Sequence, residues 1–193
     1  MGIIRNTTEN NCSIAIWDTQ ETLNELLKLS RPFDLTKFKT EKRKKEFLAS
    51  RLLVQEISQN TIITYNEFGA PELDNGKYIS ISHSKEMVAI IISEQQVGMD
   101  VEQISEKVLH LSSKFVSEKN LKNLRKEKAT LIWCCKEAVF KWHQTGGVDF
   151  IKDIIIPEFS AKEKGEIAIQ FKNKELNLNY QKINNHYLVY VCK

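Results

Sequence analysis

Two long stretches of helical period, about residues 40–58 and 129–143, each follow one strand-like run and precede several more. That order confines the chain to an α+β fold. In the first stretch Phe47, Leu48, Leu52, Leu53 and Ile57 recur at helical spacing, while Glu41 to Glu46 is wholly charged. Ahead of it, Asn11–Trp17 alternates around Ile14 and Ile16 as a strand does. Thr19 is expected to cap a short helix through Leu29, with Leu23, Leu26 and Leu27 on one face and Pro32 ending it. Behind it, Thr61–Tyr65, Tyr78–Ser82 and Met87–Ser93 read as strands, with turns at residues 66–71 and at Asn75-Gly76. The order then restarts near Gln96. Val97–Glu102 reads as a strand, Glu106–Leu124 as helical segments and Ala129–His143 as a strong helix stopped by Gly146-Gly147. Strands are expected at Phe150–Ile156, Glu166–Phe171 and His186–Cys192. Element order alone thus points to an internal duplication, with one undivided α+β domain as the alternative.

Composition narrows the classes of function. The longest apolar runs, Met87–Ile92 and Tyr187–Cys192, are six residues long, against about 20 for a membrane-spanning helix. Met1 to Asn6 lacks a secretory apolar stretch, and Asn6 stands where a myristoylation site needs Ser or Thr. Lys+Arg number 28 and Asp+Glu 25, a net charge of +3 that argues against a nucleic-acid coat or a polybasic membrane binder. With 41% hydrophobic residues, only 7 Gly and 3 Pro, the chain is globular rather than fibrous or disordered. Cys12, Cys134, Cys135 and Cys192 have no metal-like spacing, and a chain of this length needs no staples. A reduced, cytoplasmic protein is the expectation.

Two short stretches carry chemistry. In Val97-Gly98-Met99-Asp100-Val101-Glu102, strand alternation projects Asp100 and Glu102 from one face, about 6–7 Å apart. Two carboxylates pointing one way repel each other and gain from a shared hard cation such as Mg²⁺. Gly98 lets a neighbour approach the backbone. In Trp133-Cys134-Cys135-Lys136-Glu137-Ala138-Val139-Phe140-Lys141, residues 133, 137 and 141 stand at i, i+4, i+8 and share a helix face. Each stretch also has a plainer reading by itself: an acidic strand facing water, and an ordinary helical ion pair. Together they supply three carboxylates and a lysine, the donor set of a Mg²⁺–polyphosphate site.

The pair, Val-Gly-apolar-Asp-apolar-Glu and, about 30 residues later, Trp-x-x-Lys-Glu-Ala-x-x-Lys, resembles the signature of the 4′-phosphopantetheinyl transferase superfamily. The likeness is to its larger, two-halved type that activates surfactin and related synthetases. Ile81-Ser82-His83-Ser84 resembles the family's Ser-His-Ser element after a strand, and Phe115-Val116-Ser117-Glu118 resembles, more loosely, its Phe-Ser…Glu helix start. Phe68-Gly69-Ala70-Pro71 stands where the family has Gly-Lys-Pro, with Ala70 in place of the lysine, so that a cationic contact near the nucleotide is either missing or supplied elsewhere, Lys85 being one candidate. The resemblance is specific from about Ile62 to Phe150.

The resemblance implies an α+β pseudo-dimer of two similar subdomains, each a small, mostly antiparallel sheet packed against a long helix. Residues 1–95 would hold the nucleotide side of coenzyme A, and residues 96–193 would hold Mg²⁺ and the catalytic groups. It implies transfer of 4′-phosphopantetheine from coenzyme A to a serine of an apo acyl or peptidyl carrier protein. Asp100, Glu102 and Glu137 would ligate Mg²⁺, Glu137 would take the serine proton, and Lys141 would contact the α/β-phosphates. Ser82 and His83 would bind coenzyme A, His83 at the 3′-phosphate. Lys42, Arg43, Lys44, Lys45 and Arg51 lie on one helix, after Arg31, Lys37 and Lys39, and Lys45 and Arg51 are the further phosphate candidates. A monomer with no nucleic-acid or membrane partner is expected. Two rival readings remain: a Mg²⁺-dependent phosphohydrolase on another phosphate ester, and a non-catalytic module that binds carrier proteins.

Overall fold

In the computed structural model, which describes residues 2–9 and 11–193, the β-branched runs pair into two antiparallel sheets and the helices cover their outer faces. The first sheet uses β1 (Ile3–Glu9), β2 (Cys12–Asp18), β3 (Ile63–Tyr65), β4 (Pro71–Leu73), β5 (Tyr78–Ser84) and β6 (Met87–Ser93). Helices α1 (Leu23–Leu29) and α2 (Glu41–Ile57) lie between β2 and β3 in sequence. The second sheet uses β7 (Val97–Gln103), β8 (Ile154–Ile155), β9 (Lys164–Phe171), β10 (Lys174–Ile183) and β11 (His186–Cys192), with α3 (Glu106–His110) and α4 (Lys126–His143) between β7 and β8. The spatial orders are β1-β2-β6-β5-β4-β3 and β7-β11-β10-β9-β8. With β1 set aside, both sheets follow the same connection order.

Four layers result. Ala15, Trp17, Val88 and Ile90 face Leu26, Leu48 and Leu53 of α1 and α2. The opposite sides of β2 and β6, through Ile14, Ile16, Ala89 and Ile91, pack on Met99, Val101, Leu188 and Tyr190 of the second sheet. Helix α4 closes the far side, setting Leu131, Cys135, Ala138 and Val139 against Leu178, Val189 and Val191. Strands buried on both faces have no polar side to show, which is why β6 and most of β11 are unbroken apolar runs.

Strand β7 is an edge strand, paired only with β11. The backbone N–H groups on its open side are satisfied by a ladder of serines on β5: Met99 donates to Ser80 Oγ (3.0 Å), Val101 to Ser82 Oγ (3.1 Å) and Gln103 to Ser84 Oγ (2.9 Å). Side-chain hydroxyls on alternate residues therefore set the register between the two sheets.

Several expectations are corrected. Thr22, not Thr19, caps α1, because Glu25 three residues on completes a reciprocal capping box. Strands β1, β4 and β10 are additional, and β10 does carry the alternation of Leu176, Leu178 and Tyr180. The 106–124 region is α3 and two short 3₁₀ turns, Ser112–Lys114 and Glu118–Asn120; Ser117 adopts an extended backbone and Asn123 a left-handed one (φ 60°). Only Ile154–Ile155 of the expected 150–156 strand pairs, since Asp149 accepts from the N–H groups of Ile151 and Lys152 and folds those residues into a turn. The Ser-His-Ser element lies inside β5 rather than after a strand. Cys12 and Cys192 are joined by a disulfide across 180 residues, contrary to the expectation of four reduced thiols. Both cysteines belong to the cluster where the two sheets pack, a proximity that no sequence spacing records. Among the described residues no helix is long and apolar enough to cross a membrane.

Candidate active site

The site begins at Gly98. A Cβ there would sit 2.0 Å from the Ala138 carbonyl oxygen and 2.5 Å from the Trp142 nitrogen, so only glycine lets α4 lie directly on β7. Asp100 and Glu102 share Gly98's side of the strand and are thereby aimed at the α4 face bearing Trp133, Glu137 and Lys141. Asp100 is 3% exposed. Its Oδ1 accepts from Ser82 Oγ and from the Lys141 ammonium, both at 2.7 Å, and Lys141 also reaches Ser82 Oγ at 3.0 Å. Ser84 Oγ donates to Glu102 Oε2 at 3.1 Å.

Charge at this contact is unbalanced. Burial, and then the neighbouring Asp100 charge, push the Glu137 carboxyl up to about 7, against the pull of Lys141. The same two causes raise Glu102. Three carboxylates thus feel one another with a single ammonium among them. Asp100 Oδ2 is buried and has no hydrogen-bond partner. An orphaned carboxylate oxygen amid excess negative charge fits a hard divalent cation such as Mg²⁺. Among the described residues no three His, Cys, Asp or Glu side chains are already drawn together as a finished metal site; Lys141 is what holds Asp100.

A cleft of about 480 Å³ opens beside Lys141 and runs between α2, β5, the Tyr65–Pro71 turn and the end of α4. Arg51 lies on its wall, with its guanidinium carbon 3.8 Å from the Phe47 ring centroid and a hydrogen bond to the Tyr65 hydroxyl at 2.9 Å. His83 projects into the cleft from the β5 face opposite Ser82 and Ser84. Arg43 stands 2.8 Å from His83 Nε2 and pairs with the buried Glu46 at 3.0 Å. Burial lowers the His83 pKa, Glu46 opposing and Arg43 assisting, so the ring favours its neutral form.

Lys45, singled out from the sequence, instead donates to the Thr19 carbonyl at 3.2 Å and does not line the cleft. Arg43, passed over, does. The signal was available: residues 43, 47 and 51 stand at i, i+4, i+8, whereas residue 45 is about 200° around the helix from 43. Lys37 also lines the cleft, while Lys85 sits in the β5–β6 turn away from it. Cys134 and Cys135 are fully buried, and burial holds the Cys135 thiol up at about 12 and Cys134 well above its usual value, so neither supplies a thiolate nucleophile.

Lys141 thus joins Asp100 to a basic, aromatic-walled cleft, which Asp100, Glu102 and Glu137 themselves do not line. Residues 96–192 match the family model of the 4′-phosphopantetheinyl transferase superfamily, and the chain belongs to that superfamily. It is similar to the 4′-phosphopantetheinyl transferase gsp of Aneurinibacillus migulanus, with 30% identity over 106 residues, covering 50% of this chain and 45% of that protein. The match therefore spans less than half the length of that relative.

Proposed function

We propose that the chain transfers the 4′-phosphopantetheine group of coenzyme A to a serine of an apo acyl or peptidyl carrier protein, with Mg²⁺, releasing adenosine 3′,5′-bisphosphate. The observation that supports this reading is the 2.7 Å Asp100–Lys141 pair at the β7–α4 contact, with Lys141 also on the cleft wall and Glu102 and Glu137 near enough for the Asp100 charge to raise their carboxyls. Residues 1–95 act as the subdomain that grips the nucleotide, and residues 96–193 as the one that carries the metal ligands. The shared connection order of the two sheets supports a pseudo-dimer of similar halves.

Asp100, Glu102 and Glu137 would hold the cation, with the orphaned Asp100 Oδ2 supplying an oxygen that nothing else uses. A Mg²⁺ ion held by them would withdraw charge from the pyrophosphate of coenzyme A. Glu137, poised near neutrality, takes the proton from the carrier serine hydroxyl. The serine oxygen bonds to the phosphorus that bears pantetheine, and the bond from that phosphorus to the bridging oxygen breaks, so the bridging oxygen leaves with the nucleotide. Lys141 offers its ammonium to the α/β-phosphates. His83 and Arg43 take the 3′-phosphate, Ser82 orients Asp100 and Lys141 beside the ligand, and Arg51 with Phe47 and Tyr65 lines the nucleotide wall. The working form is a monomer with no nucleic-acid or membrane partner.

The test is intact-mass analysis of several apo carrier proteins incubated with enzyme, coenzyme A and Mg²⁺. A mass gain of one phosphopantetheine, lost in Asp100→Ala, is the expected result. Adenosine bisphosphate released without any carrier would instead identify a phosphohydrolase. Carrier binding without turnover would identify a binding module.

A further inference from the structure

The cleft is walled by the cations Lys37, Arg43, Arg51 and Lys141, and among the described residues Glu46 is the one carboxylate that lines it. Glu46 is also buried, at 7% exposure. A hollow suited to an anion gains nothing from a like charge in its wall, and a buried carboxylate is costly unless it is paired. The pairing shows what Glu46 is set against. Its Oε2 accepts from Arg43 Nη1 at 3.0 Å. Its Oε1 has no hydrogen bond and stands 3.5 Å from His83 Nδ1 and 3.6 Å from the ammonium of the exposed Lys42.

The contact between Arg43 and His83 fixes the tautomer of the ring. A guanidinium has no acceptor, so at 2.8 Å Arg43 Nη1 donates to His83 Nε2, and the neutral ring carries its hydrogen on Nδ1, towards Glu46. Glu46 therefore holds Arg43 by one oxygen and faces His83 with the other. A phosphate monoester entering the cleft would draw the guanidinium from Nε2 to its own oxygens. Nε2 is then free to take one proton from solvent and donate it to the phosphate. The Nδ1–H keeps facing the carboxylate, which stabilises the imidazolium. Arg43 and Glu46 reach the ring from α2 and Lys141 from α4, so without Glu46 two cations would oppose that protonation.

We propose that Glu46 is a positioning residue that aims Arg43 and His83 at one phosphate monoester, and so sets the preference for a nucleotide ligand carrying that group over the same ligand without it. It touches no reacting atom in this role. That the ligand is coenzyme A, with its 3′-phosphate as the group, rests on the function proposed above; the arrangement of the three side chains does not. A charge-assisted hydrogen bond is worth about 10-fold to 100-fold in affinity.

Calorimetric titration with coenzyme A and with 3′-dephospho-coenzyme A, no carrier present, reads that preference as a ratio of Kd values. Wild type should favour coenzyme A by about 100-fold. In Glu46→Gln the Kd for coenzyme A should rise about 10-fold, while that for the dephospho ligand stays within about twofold. Repeating the titrations at about pH 7.5 in buffers of different ionisation enthalpy counts the protons taken up. Wild type should take up a proton fraction with coenzyme A and none with the dephospho ligand, and Glu46→Gln should take up less, which a merely structural side chain would not alter. Equal affinities in wild type, or no binding of either ligand, would overturn the proposal. So would tighter binding of coenzyme A by Glu46→Gln, which would make the carboxylate a simple opponent of the anion. Equal weakening of both ligands would place Glu46 at the base or sugar instead, and unchanged proton uptake would separate it from His83. Should Glu46→Gln fail to fold, Glu46→Asp, which keeps the charge but draws it back by one methylene, must reduce the ratio; an unchanged ratio sinks the idea. Wild type that shows the preference yet transfers nothing to any carrier would defeat the proposed function and leave this assignment standing.

Discussion

Glu137 is the side chain on which stability and function pull in opposite directions. Its carboxyl is raised from the ordinary 4.5 to about 7 by burial and by Asp100. Between those two values the folded protein binds more protons than the unfolded chain. Its stabilising contribution is therefore complete below about 4.5 and is lost as pH rises through about 7. At pH 8 in EDTA, Glu137→Gln should melt higher than wild type, by on the order of 2 kcal/mol, while losing carrier modification altogether. Thermal denaturation against pH checks the first part and intact-mass assays the second. A variant that melts lower at pH 8 would show that the three carboxylates are not in excess. The shared faces of Asp100 with Glu102 and of Glu137 with Lys141 were legible at this scale because strand and helix periods fix direction along each element. His83 was legible only through its motif, and the choice of Lys45 over Arg43 went wrong where a helical wheel would have decided it.

At the scale of elements, the site is a contact between a strand and a helix, and Gly98 sets its closeness. Gly98→Ala would drive a methyl group into the Ala138 carbonyl and the backbone of Trp142. Helix α4 must then lift from β7 and carry Glu137 and Lys141 away from Asp100. The expected cost is about 3 kcal/mol in urea denaturation, as for other overpacked contacts. Under conditions where the variant is fully folded, a large fall in kcat should remain. A folded variant with wild-type kcat would show that this contact does not govern the site. The helices α2 and α4 were readable because each carries a long amphipathic period, and α2 has Thr40 accepting from the Arg43 N–H at its start. Residues 106–124 were not, because short apolar clusters there serve a small satellite core around Phe115 and Ile132 rather than one continuous helix.

For the whole molecule, what matters is how two sheets with the same connection order are locked together. The lock has three parts: the apolar cluster between them, the serine ladder from β5 to β7, and the Cys12–Cys192 disulfide. A cross-link that closes a loop this long is worth up to about 5 kcal/mol in the chain-entropy account. Peptide mapping without reductant should recover residues 12 and 192 on one linked peptide pair. Dithiothreitol should lower Tm by on the order of 10 °C, with no such shift in Cys12→Ser. Equal melting temperatures with and without reductant would remove the disulfide from the lock.

Periodicity and motif chemistry, both local properties of the chain, determined the α+β class, the two long helices, most central strands and the acidic–lysine set. Those signals survive without a fold because they depend on residues a few positions apart. The tertiary structure alone decided which cation of α2 meets His83, that Glu46 faces the same ring, and that Cys12 and Cys192 meet. Each of these pairs residues far apart in sequence or chooses among like neighbours by direction, and direction exists only once the layers have packed.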